Sequence, residues 1–450
     1  MSELALLGGS KAITYEGTGK HDGSDVFAWP IVTKEDEDAV LEVLRNGNMS
    51  GTDVTKEFEK DYCAWSGSKY ALGVHNGTAA LHAAMYGCGV GRGDEVICPS
   101  ITYWASCTSA LSLGATVVFA DIDPYTLCID PKKIEAKITD RTKAIIVVHY
   151  LSYPADMDEI MAVAKKHNLK VIEDVSHAQG GKYKGRMLGT IGDVGAASLM
   201  SGKSFAIGEA GIIHTDNREI YERAIAFGTY ERFNKDNIET EYLKEGAGLP
   251  YGGFKHRMHQ LSSAMGRVQI KYYDERCREI DEATNYFLSL IEDLPGIGIR
   301  RCDYSTGSTM AGWYAAVAFY TPEELGGLSV TRFCQALVAE GAWAVKPGVN
   351  LALHTHPLYK NIDVFGDGRP TRIANSDFDV RNFDCDLEVS EAVGARTFRL
   401  PWFKKFDKEV IEQYANAFRK VCENYKELLV DDPGNPENIG GWFFFSHTKR

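Results

Sequence analysis

Tyr70-Ala71-Leu72-Gly73-Val74-His75-Asn76-Gly77-Thr78-Ala79-Ala80-Leu81 passes from a short apolar run through an Asn-Gly-Thr turn into an alanine-rich segment. Tyr70–Val74 reads as a strand and Thr78–Met85 as a helix. The alternation repeats downstream. Glu95–Cys98, Thr116–Phe119, Ala144–Val148, Lys170–Ile172 and Ile212–Thr215 read as further strands, with helices expected over Tyr103–Leu113 and Pro154–Asn168. In the latter, Pro154 is expected in the first turn, where a missing N–H does no harm. Met157, Ile160, Met161 and Ala164 make one apolar face. Alternation of this kind predicts an α/β fold with a mostly parallel central sheet covered by helices on both sides. Sheets of that type hold ligands at the carboxyl ends of their strands.

Working outward, Thr33–Asn46 reads as an amphipathic helix opened by a capping-box pair, Thr33 and Asp36. The Gly-rich segment Met1–Asp25 is expected to lie across the surface as an arm. A long helix is expected over Met258–Leu294, followed by a second α/β region ending near Lys426. The tail Asp431–Arg450 carries an aromatic run, Trp442–Phe445, which could dock on a neighbour but is expected to pack on its own domain. The resulting division is an arm (1–26), a large domain (27–290), a smaller C-terminal α/β domain (291–430) and a tail (431–450).

The chain has 450 residues, 44% hydrophobic and 25% charged, with a net charge of −13. An acidic surface repels nucleic-acid phosphates and anionic membranes, so neither is expected as a partner. None of the ten cysteines is in Cys-x-x-Cys spacing, and His354-Thr355-His356 lacks companion ligands, so no metal site is expected. With no signal-peptide pattern and no bilayer-spanning apolar run, the sequence reads as a cytoplasmic protein with reduced thiols. The glycines at 87, 89, 91 and 93 follow a helix and precede a strand, the wrong order for a dinucleotide loop; a helix C-cap and turn explains them better. The acidic tract Phe378–Glu388 reads as solvated surface.

Four features fall where strands end or helices begin. Gly77 and Thr78 open a helix, whose free amides and dipole suit a phosphate; an ordinary capped helix would look the same. Asp174, in Glu173-Asp174-Val175-Ser176-His177, ends a buried strand, where an acid needs a partner. It can hold a proton on a pyridine nitrogen, with His177 near by; a helix cap and a core histidine are the plain alternatives. Lys203, in Ser198-Leu199-Met200-Ser201-Gly202-Lys203, sits among small and apolar residues that lower an amine pKa and favour Schiff-base chemistry. Ser198 offers a second hydroxyl to a phosphate. Tyr103, in Pro99-Ser100-Ile101-Thr102-Tyr103-Trp104-Ala105-Ser106, can stack on a flat cofactor or simply pack in the core.

Phosphate turn, aromatic, strand-end Asp and then Lys is the order used by fold-type-I pyridoxal-phosphate (PLP) enzymes. The chain resembles the DegT/DnrJ/EryC1/StrS family of sugar aminotransferases over about residues 27 to 425. The matching text includes Gly47-Asn48-Met49-Ser50-Gly51, Asn76-Gly77-Thr78-Ala79-Ala80-Leu81, Gly93-Asp94-Glu95-Val96-Ile97, Phe119-Ala120-Asp121-Ile122-Asp123, Pro154-Ala155-Asp156-Met157 and Gly192-Asp193-Val194-Gly195. The opening Leu4-Ala5-Leu6-Leu7-Gly8-Gly9 resembles the branch acting on scyllo-inosose, aminoshikimate-type and other free keto-ring substrates.

The resemblance implies a fold-type-I transferase and a homodimer with active sites at the interface. It implies ping-pong transamination of a keto-sugar or keto-cyclitol, with glutamate or glutamine as donor. Lys203 would form the internal aldimine and shuttle the proton, and Asp174 would pair with the pyridinium. Tyr103 would stack on the ring, Gly77, Thr78 and Ser198 would bind phosphate, and His177 would lie near the ring hydroxyl. The stretch around His354 and His356 would be a loop at the substrate entrance. One departure stands out. The family often reads Gly-Tyr-Asn-Tyr-Arg-Met where this chain has Gly253-Phe254-Lys255-His256-Arg257-Met258, so Lys255 replaces an Asn that reaches the partner subunit's cofactor phosphate. A lysine there can bind that phosphate as a point charge, or instead a substrate phosphate or carboxylate. Two other readings compete: a PLP sugar dehydratase, whose branch carries His in place of the lysine, and a non-catalytic PLP-binding regulator, which would not need Lys203.

Overall fold

The strand that begins at Tyr70 is the first of seven in the main sheet of the computed structural model, which describes residues 3–375 and 387–442. The strands are β1 (Tyr70–Val74), β2 (Glu95–Pro99), β3 (Thr116–Ala120), β4 (Thr142–Val148), β5 (Lys170–Asp174), β6 (Val194–Ser198) and β7 (Gly211–Thr215). Their spatial order is β1-β7-β6-β5-β4-β2-β3. Every neighbouring pair is parallel except those of β7, which runs antiparallel to β6 and β1. Ile145, Ile146 and Val147 of β4 are fully buried in succession, because helices cover both faces of the sheet and leave no wet side to alternate toward.

Several expected boundaries move, each for a local reason. The helix after β1 spans Gly77–Gly87, because Asn76 caps it by accepting the Ala79 N–H at 2.8 Å. The helix after β4 is Met157–Lys166 and not Pro154–Asn168: Asp156 accepts the Glu159 N–H, so Pro154 lies outside it. The helix after β2 is Ala105–Ser112, leaving Tyr103 in the preceding turn. β5 runs two residues past Ile172, so Glu173 and Asp174 are in the ladder. The capping box of Lys34–Arg45 forms as expected, with Asp36 accepting the Thr33 N–H at 2.8 Å. Residues 378–386 of the acidic tract, and the aromatic run beyond Trp442, lie outside the described residues.

A second core gathers around a three-stranded antiparallel sheet of β8 (Ile297–Gly298), β9 (Val317–Tyr320) and β10 (Thr397–Arg399). The helix Gln260–Ile291 serves both cores, Tyr273 entering the first and Ile280 and Phe287 the second. The N-terminal segment, mostly exposed, is pinned to the second core at several points. Leu4, Ile13 and Val26 belong to the second core, and the buried Glu340 carboxylate accepts the N–H groups of Ala5 and Ala12 at 2.8 and 2.9 Å. Among the described residues no helix is long and apolar enough to cross a membrane.

Arg300 joins the second region to the end of β4. It is 1% exposed, and its guanidinium donates to the carbonyls of Leu151 (3.2 Å), Tyr150 (2.8 Å) and Thr126 (2.5 Å). Arg300→Met would leave three acceptors in a dry setting without these donors. We expect it to lower the unfolding free energy by about 3 kcal/mol, read from the shift of a urea midpoint; a shift equivalent to under about 1 kcal/mol would contradict the assignment.

Candidate active site

β1, β2, β5 and β6 end at one edge of the sheet, and the side chains and amides there converge. Gly77 starts its helix in contact with the end of β6: a Cβ on it would stand 2.5 Å from the Ser198 Cβ. Only glycine lets the turn approach so closely. The Gly77 and Thr78 amides fall in the first helical turn, where no intrahelical carbonyl reaches them. Ser198 is placed by its main chain. Its N–H donates to the Ser176 hydroxyl at 2.9 Å and its carbonyl accepts from Gln179 at 2.6 Å.

Asp174 is the last residue of β5 and is 4% exposed. The Ser106 hydroxyl donates to one of its oxygens at 2.7 Å and the Ser176 N–H to the other at 3.0 Å. Neither donor is charged, so the carboxylate keeps its charge available to a cation brought into the site. Its neighbour Glu173 points to the opposite face and is fully buried. Burial alone would raise the Glu173 pKa, but a hydrogen bond from His149 at 2.9 Å and the amides of Gly192 and Gly189 hold it below the ordinary value.

Lys203 lies in the loop between β6 and β7, 7% exposed, with Nζ 4.4 Å from the centre of the Tyr314 ring. Burial pulls its pKa down to about 8, against the opposing pull of Asp174. Its backbone is fixed from both sides: the N–H donates to Met200, and the carbonyl accepts the Trp29 indole N–H at 2.8 Å. The His177 ring lies tilted against Tyr314 with centroids 4.6 Å apart, and its pKa falls well below the ordinary value through burial, then through the charges of Lys203 and Arg399. It is therefore neutral. The Leu151 N–H donates to Nδ1 at 3.4 Å, which assigns the ring proton to Nε2. Tyr103 is half-buried, packs on Trp104 at 5.5 Å and lies within electrostatic reach of Tyr314.

The structure thus brings together Gly77, Ser198, Asp174, His177, Lys203 and Tyr103, with Thr78 exposed at the rim. It does not bring Lys255 to them within one chain. Lys255 is exposed, its Nζ 5.9 Å from the centre of the Tyr230 ring. His354 does not offer itself to a metal; it is buried between the Ser100 hydroxyl (2.8 Å) and Glu391 (2.9 Å). Sequence reading missed Ser106 and Ser176, both inside stretches already singled out. It also missed Tyr314, Arg399 and Trp29, which no local motif marks. The residues present fit pyridoxal phosphate: a glycine-built cradle for the phosphate, a dry carboxylate for the ring nitrogen and a buried amine within that carboxylate's electrostatic reach.

The comparisons with known proteins agree with this geometry. The model of the DegT/DnrJ/EryC1/StrS aminotransferase family matches residues 30–419. The chain is 31% identical to the L-glutamine:scyllo-inosose aminotransferase of Streptomyces griseus over 451 aligned residues, covering 95% of this chain and 99% of that protein. It is 36% identical to the GDP-perosamine synthase of Caulobacter vibrioides, covering 88% of this chain and 97% of that one. The solved aminotransferase of Psychrobacter cryohalolentis superposes with a TM-score of 0.75 at 27% identity, covering 88% of this chain and 99% of that one. This chain accordingly belongs to the DegT/DnrJ/EryC1/StrS aminotransferase family and is a PLP-dependent aminotransferase of fold type I.

Proposed function

We propose that the chain transfers an amino group from glutamate or glutamine to the ketone of a sugar or cyclitol, with Lys203 as the lysine that holds the coenzyme. The observation that carries this reading is the buried Lys203 amine, with its pKa near 8, set against the buried Asp174 carboxylate. Bound pyridoxal phosphate supplies the electron sink. The protein supplies the rest. The amides of Gly77 and Thr78, with the hydroxyls of Thr78 and Ser198, bind the phosphate. Asp174, steadied by Ser106 and Ser176, holds a proton at the ring nitrogen. Tyr103 covers one face of the ring, and His177 offers Nε2–H to the ring hydroxyl. Lys203 would take and return the proton at the donor Cα.

The relatives that act on scyllo-inosose or make GDP-perosamine support a sugar or cyclitol ketone. We take 27–290 as the coenzyme-binding domain and 291–430 as the smaller one, and the protein as a cytoplasmic homodimer. In it, the exposed Lys255 of one subunit reaches the phosphate of the other as a cation. Lys203 argues against a dehydratase, whose branch places His there, and a regulator would have no use for the buried amine.

Purified protein is expected to be yellow, and glutamate or glutamine should bleach the visible band; a spectrum indifferent to every amino donor would refute the transaminase reading. Lys203→Ala should abolish the band, and its survival would move the assignment elsewhere. Mass spectrometry on a panel of keto-sugars and keto-cyclitols then reads the product. The pH dependence follows from the lowered Lys203 pKa. The free amine is the form that captures the coenzyme, so uptake by the apo-protein should quicken as pH rises and level off above about 8. Stopped-flow absorbance checks this, and a rate that falls over the same interval would contradict it.

A further inference from the structure

The described end of the tail does not wander. Gly441 N–H donates to the Val349 carbonyl and Leu351 N–H to the Gly441 carbonyl, both at 3.3 Å. Gly440 has φ +119, and a Cβ on it would stand 2.2 Å from the Val349 oxygen. A Cβ on Gly394 would stand 2.4 Å from the Ile439 oxygen. The segment is seated backbone against backbone, at positions only glycine tolerates.

Two chains of contact run from this seat to the active site. Asn350, bridged to Gly441, accepts the Tyr150 hydroxyl at 2.6 Å, and the Tyr150 ring lies 5.6 Å from His177. On the other side, Trp442 meets His356 edge to face at 4.4 Å. His356 meets Trp104 at 5.5 Å, and Trp104 meets Tyr103 at 5.5 Å. All four of these rings are only half-buried. The wall is also uncharged. Burial lowers the His356 pKa, and its Nδ1 accepts the Leu358 N–H at 3.1 Å, so the imidazole is neutral. Aromatic faces and edges pack on the C–H faces of a hydroxylated ring. A diphosphate wants cations and forked donors, which these four side chains do not provide.

We propose that the segment Ile439–Trp442 is a wall of the ketone site, and that Trp442 is a specificity-determining residue selecting a free, uncharged ring ketone over one linked to a nucleoside diphosphate. This rests on the aminotransferase reading above. The test uses the dimeric holoenzyme loaded with amine by glutamine, and compares kcat/KM for scyllo-inosose with that for a GDP-linked 4-keto-6-deoxyhexose. The wild type should favour scyllo-inosose. Trp442→Ala should lower that preference by about 10-fold or more, the size of a lost apolar contact in a pocket. Trp442→Phe, which keeps an aromatic edge, should retain most of it. Gly440→Val, which unseats the segment without touching the indole, should reproduce the alanine result. A wild type that favours the GDP-linked ketone or uses no free ring ketone overturns the proposal, as does a Trp442→Ala enzyme that slows on both ketones alike. Bleaching by glutamine separates the two failures: if the donor bleaches the band and the preference does not move, only the wall is lost; if no donor bleaches it, the transaminase reading goes too.

Discussion

Two adjacent carboxylates, Glu173 and Asp174, stand at the buried end of β5, and among the described residues no lysine or arginine is bonded to either. Strand geometry turns them to opposite faces of the sheet. A charge left bare in so dry a place would be prohibitive, so the surrounding chain is shaped to answer it. Glu173 draws in the amides of Gly189, Ile191 and Gly192 and thereby fixes the loop that leads into β6. Asp174 takes one hydroxyl from the helix after β2 and one amide from the turn that carries Ser176. The first carboxylate organises structure, and the second is left with neutral partners, able to answer a cation that arrives later. His177, in the turn after β5, and Ser198, at the end of β6, both follow stretches whose course these two acids help to set.

The legibility of the sequence follows the locality of its causes. Parallel strands buried on both faces announce themselves as unbroken apolar runs, so the sheet, its helices and the strand-end position of Asp174 could be read directly. The turn at Gly77 and the amine at Lys203 could be singled out because the order of weak signals was specific, although each alone was not. Boundaries slipped where one side chain decided them. Asn76 and Asp156 fix helix starts by capping, and Pro154 gave a false one. β5 runs past Ile172 to Asp174 because amide and hydroxyl donors satisfy both acids where they stand.

What escaped was whatever depended on distant chain segments meeting. Tyr314 comes to Lys203 from β9's approach, in a stretch where Ala311, Trp313 and Ala315 all take positive φ. Nothing in its neighbours' identities marks that placement. Arg399 is brought in by β10, where burial with the Tyr150 and Tyr314 phenols near by leaves its pKa at about 10. Lys255 is the converse case: it is legible as a departure from the family pattern, yet within one chain it stands exposed beside Tyr230, apart from the other residues singled out.

The hydrogen bond from Trp29 to the Lys203 carbonyl has a thermodynamic corollary. The N-terminal segment is anchored on the second core through Glu340 and reaches the lysine loop through a single indole, so the loop's order and the segment's docking are linked equilibria. Linkage is reciprocal: whatever ligand rigidifies the Lys203 loop must tighten the hold on the first thirty residues by the same free energy that their docking lends to the ligand. The protein's beginning is in this sense a distant part of whatever affinity the Lys203 loop has for a ligand.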